Sequence, residues 1–156
     1  MENRFFQLGL TGRASHVHTG KIAEGLDWRT AGKRPADLTY SVWEVLFHMI
    51  YWQDYLLAQL RGESPVRPER AAESWPAEPA PADEAAWNEA VTRFIEGLQT
   101  AVTEAEDDLY AIVHKEQMRM EILMSLITHN SYHAGQIVLI RRALGAWPPS
   151  SGGDTW

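Results

Sequence analysis

The sequence predicts an all-α protein, an up-down bundle of four helices. Three segments repeat apolar residues at the 3.6-residue period of an α-helix, and clusters of Gly and Pro separate them. No segment shows the apolar–polar alternation of a half-buried strand. With a weaker first segment added, the predicted helices span residues 4–26, 41–61, 83–106 and 118–145.

The composition favours one globular domain. The chain has 156 residues, of which 45% are hydrophobic, and this is enough to form one core. We expect the bundle to occupy residues 1–146 and a short C-terminal tail to follow at 147–156. There are no cysteines, so disulfides, thiolate ligands and a cysteine nucleophile are excluded. Any metal site must therefore use His, Asp or Glu.

The charge and hydropathy patterns limit the partners. With 21 acidic and 14 basic residues the net charge is −7, which opposes nonspecific attraction to nucleic acid or to an anionic membrane. No apolar run is long enough for a transmembrane helix. The first residues also lack the pattern of a signal peptide. We therefore expect a cytoplasmic protein that neither binds nucleic acid nor spans a membrane.

The first predicted helix, residues 4–26, has a weak pattern. Its members at four-residue steps are Leu10, Ala14, His18, Ile22 and Leu26. Four glycines within the same segment lower its helical propensity. His16 and His18 lie two residues apart and would point in nearly opposite directions from a helix. At most one of them faces the core, and we interpret both as surface or hydrogen-bonded histidines.

The second helix begins with a capping signal and is apolar on most sides. Ser41 is followed three residues later by Glu44, which is the spacing of a capping box, and Gly62 predicts the end of the helix. The opening turns, V-W-E-V-L-F-H-M-I-Y-W, leave almost no polar face, so this helix should be buried on more than one side. The aromatic residues expected at a homodimer interface are Trp43, Phe47 and Tyr51.

A proline-rich segment, residues 63–82, connects the second and third helices. It holds five of the eight prolines of the chain, and long irregular connections in small bundles tend to be functional or mobile. Asp83 and Glu84 then suit the positive N-terminal end of the third helix. The apolar stripe of that helix consists of Trp87, Val91, Phe94, Leu98 and Val102. Residues 107–116 interrupt the periodicity and predict a turn or irregular link.

The last helix carries the strongest functional signal. Its inward stripe contains Ile122, Leu126, Ile140 and Leu144, and the positions that complete it are His129 and His133. Histidines four residues apart lie on one face of a helix, about 6 Å apart along its axis. Buried imidazoles need partners, because an unpaired buried polar group costs on the order of 1–3 kcal/mol. A shared metal ion would satisfy both, and hydrogen bonds to neighbouring groups are the alternative.

A three-histidine site results if another helix supplies a third ligand. His48, in the middle of the apolar second helix, is the best candidate. Helical bundles build metal sites in this way, from side chains on facing helices. The pattern is not that of a zinc protease, because Asn130 stands where the H-E-x-x-H motif has its glutamate base.

These segments resemble the DinB/YfiT-like superfamily of four-helix-bundle metalloproteins. The similar motifs are S-V-W-E-V-L-F-H at 41–48, H-N-S-Y-H-A-G-Q-I at 129–137 and R-R-A-L-G-A-W-P-P at 141–149. The resemblance covers essentially the whole chain. It implies a homodimer, and a divalent metal ion, nickel, zinc, iron or manganese, held by three histidines with water in the open positions.

The resemblance assigns the metal ligands to His48, His129 and His133 and leaves two classes of function open. The first is a metal-dependent enzyme that acts on a small molecule, either as a transferase using a low-molecular-weight thiol or as a hydrolase. The second is a dimeric metal-binding protein that binds a ligand or senses stress without turnover. Since the chain has no cysteine, thiol chemistry would need an external thiol as cofactor. Glu44 and Gln136 are the candidate acid–base residues, with helix capping and histidine orientation as their alternatives.

Overall fold

The computed structural model describes residues 2–13 and 15–153, and this part of the chain is mostly helical. Its helices are α1 (Glu2–Thr11), α2 (Trp28–Ala31), α3 (Val42–Leu60), α4 (Glu84–Glu104) and α5 (Arg119–Ala143). The four longer helices pack around a common core, and α2 is a single short turn beside α4. The predicted all-α four-helix bundle is confirmed. None of the described helices combines the length and apolar character needed to cross a membrane.

The prediction of one continuous first helix over residues 4–26 is wrong beyond Thr11. The chain turns at Gly12, whose φ of +76° lies in the left-handed region that favours glycine. The Gly12 N–H donates to the Gly9 carbonyl at 3.1 Å, which closes the last turn of α1. Ala14, a member of the predicted stripe, lies outside the described residues. Glycine at this point therefore ends the helix rather than only weakening it.

A buried arginine holds the irregular segment that replaces the rest of that helix. Arg141 on α5 is only 2% exposed, and its guanidinium donates to the carbonyls of Ile22 at 2.7 Å and Glu24 at 3.0 Å. It also donates to the Ala146 carbonyl at 3.0 Å and lies over the Trp147 ring. These bonds compensate the burial of the charge. They tie the segment after α1 to the last helix of the bundle.

The predicted ends of α3 agree with the structure to within a residue. Ser41 Oγ accepts the Glu44 N–H at 3.2 Å, and a Glu44 carboxylate oxygen accepts the Ser41 N–H at 2.8 Å. This is the reciprocal capping box that the sequence predicts. At the other end Gly62 has a φ of +76°, which only glycine adopts without cost. Both ends of the helix that carries His48 are therefore determined by local residues.

The ends of α4 and α5 also follow their sequence signals. Asp83 caps α4 by accepting the Ala86 N–H at 2.8 Å. Past the end of α5, Gly145 has a φ of +68°, as a C-terminal cap requires. The predicted ranges 83–106 and 118–145 differ from the observed helices by one or two residues, the usual uncertainty of a helix end.

A small hairpin occupies part of the link predicted at residues 107–116. Strands β1 (Ile112–His114) and β2 (Gln117–Met118) pair antiparallel and lead directly into α5. The sequence predicts neither strand, because three and two residues are too few to show an alternating pattern. Lys115, in the turn between the strands, has a φ of +52°. Among the residues that the structure describes, no other non-glycine residue has a positive φ.

Helices α3 and α5 run antiparallel through the core. Leu46 in the first half of α3 shares a hydrophobic cluster with Ile137 in the second half of α5. Leu57 near the end of α3 shares another with Leu123 near the start of α5. Because of this arrangement, His48 in the first half of α3 faces the middle of α5.

Candidate metal centre

Three histidines from two helices meet inside the bundle. His48 comes from α3, and His129 and His133 come from α5. Each offers a ring nitrogen, and these ligand atoms all lie within 4.8 Å of one another. Within residues 2–13 and 15–153 no Asp, Glu or further His joins this cluster. The structure therefore brings together the three residues that the sequence predicts as metal ligands.

A serine from the proline-rich segment orients His48. Ser74 is buried, and its hydroxyl donates to the Ala71 carbonyl at 2.8 Å. Since that proton is already used, Ser74 Oγ accepts from His48 Nδ1 at 3.0 Å. The proton of the neutral ring is then on Nδ1. The lone pair of His48 Nε2 is left for the cluster, which is the form of a ligand.

Gln136 orients His133 in the same way. The His133 Nδ1 atom lies 2.7 Å from Gln136 Oε1, an atom that only accepts hydrogen bonds. His133 therefore donates from Nδ1 and keeps the lone pair on Nε2. Gln136, a predicted acid–base candidate, lies against the ring edge opposite to Nε2. This is the orienting position expected for a partner of a metal-binding histidine.

The spacing of His129 and His48 fits a shared cation. Their Nε2 atoms lie 3.3 Å apart, and two ligands of a tetrahedral zinc ion are separated by about 3.3–3.4 Å at bond lengths of roughly 2.0–2.1 Å. Two lone pairs at such a distance repel unless a proton or a cation lies between them. His129 Nδ1 is buried and has no hydrogen-bond partner among the described residues. The donor set and the nitrogen spacing are thus suited to a divalent metal ion.

Burial keeps the three imidazoles neutral. Desolvation, with a smaller contribution from the neighbouring His133, lowers the pKa of His48 to about 4. Desolvation and the other two imidazoles lower the pKa of His129 to about 4 as well. Burial also lowers the pKa of His133, against the opposing effect of its hydrogen bond to Gln136. At neutral pH all three rings are therefore in the neutral form, with one ring nitrogen free of a proton, that metal binding requires.

Aromatic rings enclose the cluster. Trp75, which follows Ser74, stacks on His48 with ring centroids 4.1 Å apart and on Tyr40 at 4.3 Å, and it lies edge-on to His133 at 6.4 Å. Trp52 on α3 lies edge-on to His48 at 6.4 Å and to His129 at 6.5 Å. The sequence indicates that the proline-rich segment is functional or mobile, but it does not single out Ser74 or Trp75. No spacing in the sequence relates them to His48, because a long loop separates them.

Glu44, the other acid–base candidate, is held away from the cluster by its own contacts. One oxygen accepts the Ser41 N–H, and both accept from the Arg34 guanidinium, at 2.8 and 2.6 Å. Burial raises the pKa of Glu44, but the hydrogen bonds from Arg34 and Ser41 outweigh burial and keep its pKa below the usual value. Its observed role is to anchor the start of α3, one turn before His48. An acid–base role for Glu44 stays a prediction.

The two histidines after α1 make hydrogen bonds outside the cluster. His16 Nε2 lies 2.9 Å from Ser131 Oγ, and His16 Nδ1 lies 2.9 Å from the Val17 carbonyl. His18 Nδ1 accepts the Gly20 N–H at 3.1 Å and so caps a short 3₁₀ turn. The interpretation of both as hydrogen-bonded residues is confirmed, although neither lies in a helix.

The comparison with known families agrees with the fold and the histidine cluster. A family model described as DinB superfamily matches residues 16–137, a range that contains all three clustered histidines. No curated protein and no solved structure matches the chain significantly. The family match spans well over half of the sequence and fits the helical bundle described above. The chain therefore belongs to the DinB superfamily.

Proposed function

We propose that the protein is a metal-dependent enzyme that acts on a small molecule. The observation that supports this most is the convergence of three neutral imidazoles, His48, His129 and His133, two of them with Nδ1 satisfied and Nε2 free. They would hold one divalent ion, nickel, zinc, iron or manganese. Three protein ligands leave coordination positions for water or substrate, as in catalytic rather than structural sites.

The proposed chemistry is thiol transfer or hydrolysis. A divalent ion held by His48, His129 and His133 would supply Lewis acidity, which would lower the pKa of a water molecule or of a thiol and so make either a better nucleophile. For the transferase reaction the thiol must come from a small molecule, because the chain has no cysteine. Ser74 and Gln136 fix the ring orientations of His48 and His133. Trp75 and Trp52 exclude water from the ligand rings, which strengthens electrostatic interactions within the site.

Elemental analysis of protein purified without added metal is the direct test. We expect about one divalent ion per chain, and its loss on replacing His129 or His133 by alanine, since a three-ligand site cannot spare either. His18→Ala is the matched control, because His18 only caps a local turn, and it should keep the metal. Circular dichroism of each variant verifies that the helices are intact. Full metal content in a folded His129→Ala variant would contradict the ligand assignment.

An activity screen follows once the metal is identified. The loaded protein is incubated with small thiols and electrophiles, and separately with hydrolysable esters and amides, and the products are analysed by mass spectrometry. Turnover that disappears in the His129→Ala variant supports an enzyme. Stoichiometric metal binding without turnover in any of these reactions would favour the non-catalytic metal-binding alternative.

A further inference from the structure

A cavity next to the histidine cluster is lined by several basic residues, although the chain as a whole is acidic. It has a volume of about 550 Å³ and lies between the second half of α3, the proline-rich segment, the hairpin and the start of α5. Arg67, His114 and Lys115 line it, and none of the described residues in its wall is an Asp or Glu. The whole sequence, by contrast, has 21 acidic and 14 basic residues.

The charges of this cavity are available to a ligand. Five arginines elsewhere form ion pairs, namely Arg34, Arg61, Arg70, Arg93 and Arg119. Arg67 and Lys115, by contrast, pair with no acidic group among the residues that the structure describes. His114 is only 6% exposed, and its ring has no hydrogen-bond partner within the same part of the chain. Gln59, Gln117 and Ser125 add further polar groups to the wall.

Lys115, in the wall of the cavity, has a strained backbone conformation. Its φ of +52° is in the left-handed region, where a glycine would avoid the steric cost that a side chain brings. Such strain is concentrated at functional sites in proteins. Here it places a lysine, rather than the glycine typical of a tight hairpin turn, in the wall of the cavity.

The cavity and the histidine cluster share the side chain of Trp52. Trp52 lines the cavity and also lies beside the rings of His48 and His129. Ser125 lies one helical turn before His129 on α5, and Gln59 lies about 16 Å along α3 from His48. Because α3 and α5 are antiparallel, the direction from His48 to Gln59 on α3 and the direction from His129 to Ser125 on α5 lead toward the same end of the bundle. The cavity therefore lies next to the histidine cluster along the bundle, toward Ser125 and Gln59.

We propose that this cavity binds a carboxylate or phosphate group of the small molecule on which the metal centre acts. The proposal rests on the proposed function for the reacting end of that molecule. The guanidinium of Arg67 matches the geometry of either group with two parallel hydrogen bonds, and Lys115 adds a point charge. His114 and Gln117 offer hydrogen bonds that select orientation. The volume is in the usual range for small-molecule sites, and neutral or cationic substrates are disfavoured.

The test is a titration of the metal-free protein, labelled with ¹⁵N, with inorganic phosphate and, separately, with succinate at constant ionic strength. At least one anion should shift the amide resonances of His114, Lys115 and Gln117 saturably. The anion that does so identifies the group as phosphate or carboxylate. Arg67→Gln and Lys115→Gln should each weaken binding at least tenfold. Arg142→Gln, in the last turn of α5 and outside the cavity, removes another arginine charge that pairs with no acidic group among the described residues, and should change affinity less than twofold.

Two further variants separate binding from folding and from metal chemistry. Lys115→Gly removes the charge but relieves the strained φ, so it should weaken anion binding without lowering the melting temperature. His129→Ala should lose the metal and keep the anion, which distinguishes failure of the proposed function from failure of this inference. Absence of shifts with both anions would overturn the inference. An equal loss in Arg142→Gln would also overturn it, since attraction would then reflect net charge.

Discussion

Replacing Ser74 by alanine tests whether the proline-rich segment controls metal affinity. Ser74 Oγ is 3.0 Å from His48 Nδ1, and no other described residue hydrogen-bonds that atom. Without the hydroxyl, the Nδ1–H group of a histidine only 9% exposed loses its partner. The proton is then no longer held on Nδ1, and only packing against Trp75 and Trp52 still holds the ring orientation. Both effects reduce the population of the ligand form of His48.

The expected loss of metal affinity in Ser74→Ala follows from the role of the hydrogen bond between Ser74 and His48. Loss of a partner that orients a metal-binding histidine typically weakens metal affinity by about 10–100-fold, which corresponds to about 1.4–2.7 kcal/mol. Metal binding stabilises the folded state by mass action, so the same difference appears in thermal unfolding at a fixed excess of metal. For a chain of this size, about 2–4 °C per kcal/mol predicts a metal-induced rise in Tm that is smaller in the variant by about 3–11 °C.

Competition with a chromophoric chelator measures the affinity, and thermal unfolding with and without metal gives the shift in Tm. Ser131→Ala is the matched control. Ser131 lies between the two ligands of α5 and is 2.9 Å from His16 Nε2, so the same kind of serine–histidine contact is lost at a histidine outside the cluster. The control should bind metal like the wild type. Wild-type affinity in Ser74→Ala, or an equal loss in both variants, would refute the reasoning.

Two further predictions concern stability and assembly. Glu44→Ala should lower the free energy of unfolding at pH 7, by about 1 kcal/mol from the capping bond to Ser41 alone. Hydrogen bonds from Arg34 and Ser41 outweigh burial and hold the pKa of Glu44 below its unfolded value. This contribution is therefore fully present above the unfolded pKa and is lost as pH falls through the folded one. Urea unfolding should show a smaller effect of the substitution at pH 3, and an equal effect at both pH values would contradict an electrostatic contribution. We also predict a homodimer, because a groove of about 490 Å³ along α3 is lined by aromatic side chains, among them Trp43, Phe47 and Tyr51. Light scattering at micromolar concentration should give a dimer mass that Phe47→Lys reduces to that of a monomer, whereas a monomeric wild type would disprove the interface.

The sequence by itself determined the three long helices and the histidine cluster. Their signals are local, since a capping box spans four residues, a C-terminal glycine acts on its own turn, and two histidines four residues apart share a helix face in any context. His48 needed one further step, the expectation that an apolar helix with a single central histidine faces the other pair. The packing of α3 against α5 confirms that step.

Only the tertiary structure decided the surroundings of the cluster and the path after α1. Ser74 and Trp75 reach His48 across 26 and 27 residues, and Arg141 binds carbonyls 117 and 119 residues earlier in the chain. Contacts over such separations leave no periodicity, because they depend on how loops close over helices that are already packed. The basic cavity has the same origin, since Arg67 and Lys115 come from different loops that meet only when the bundle is assembled.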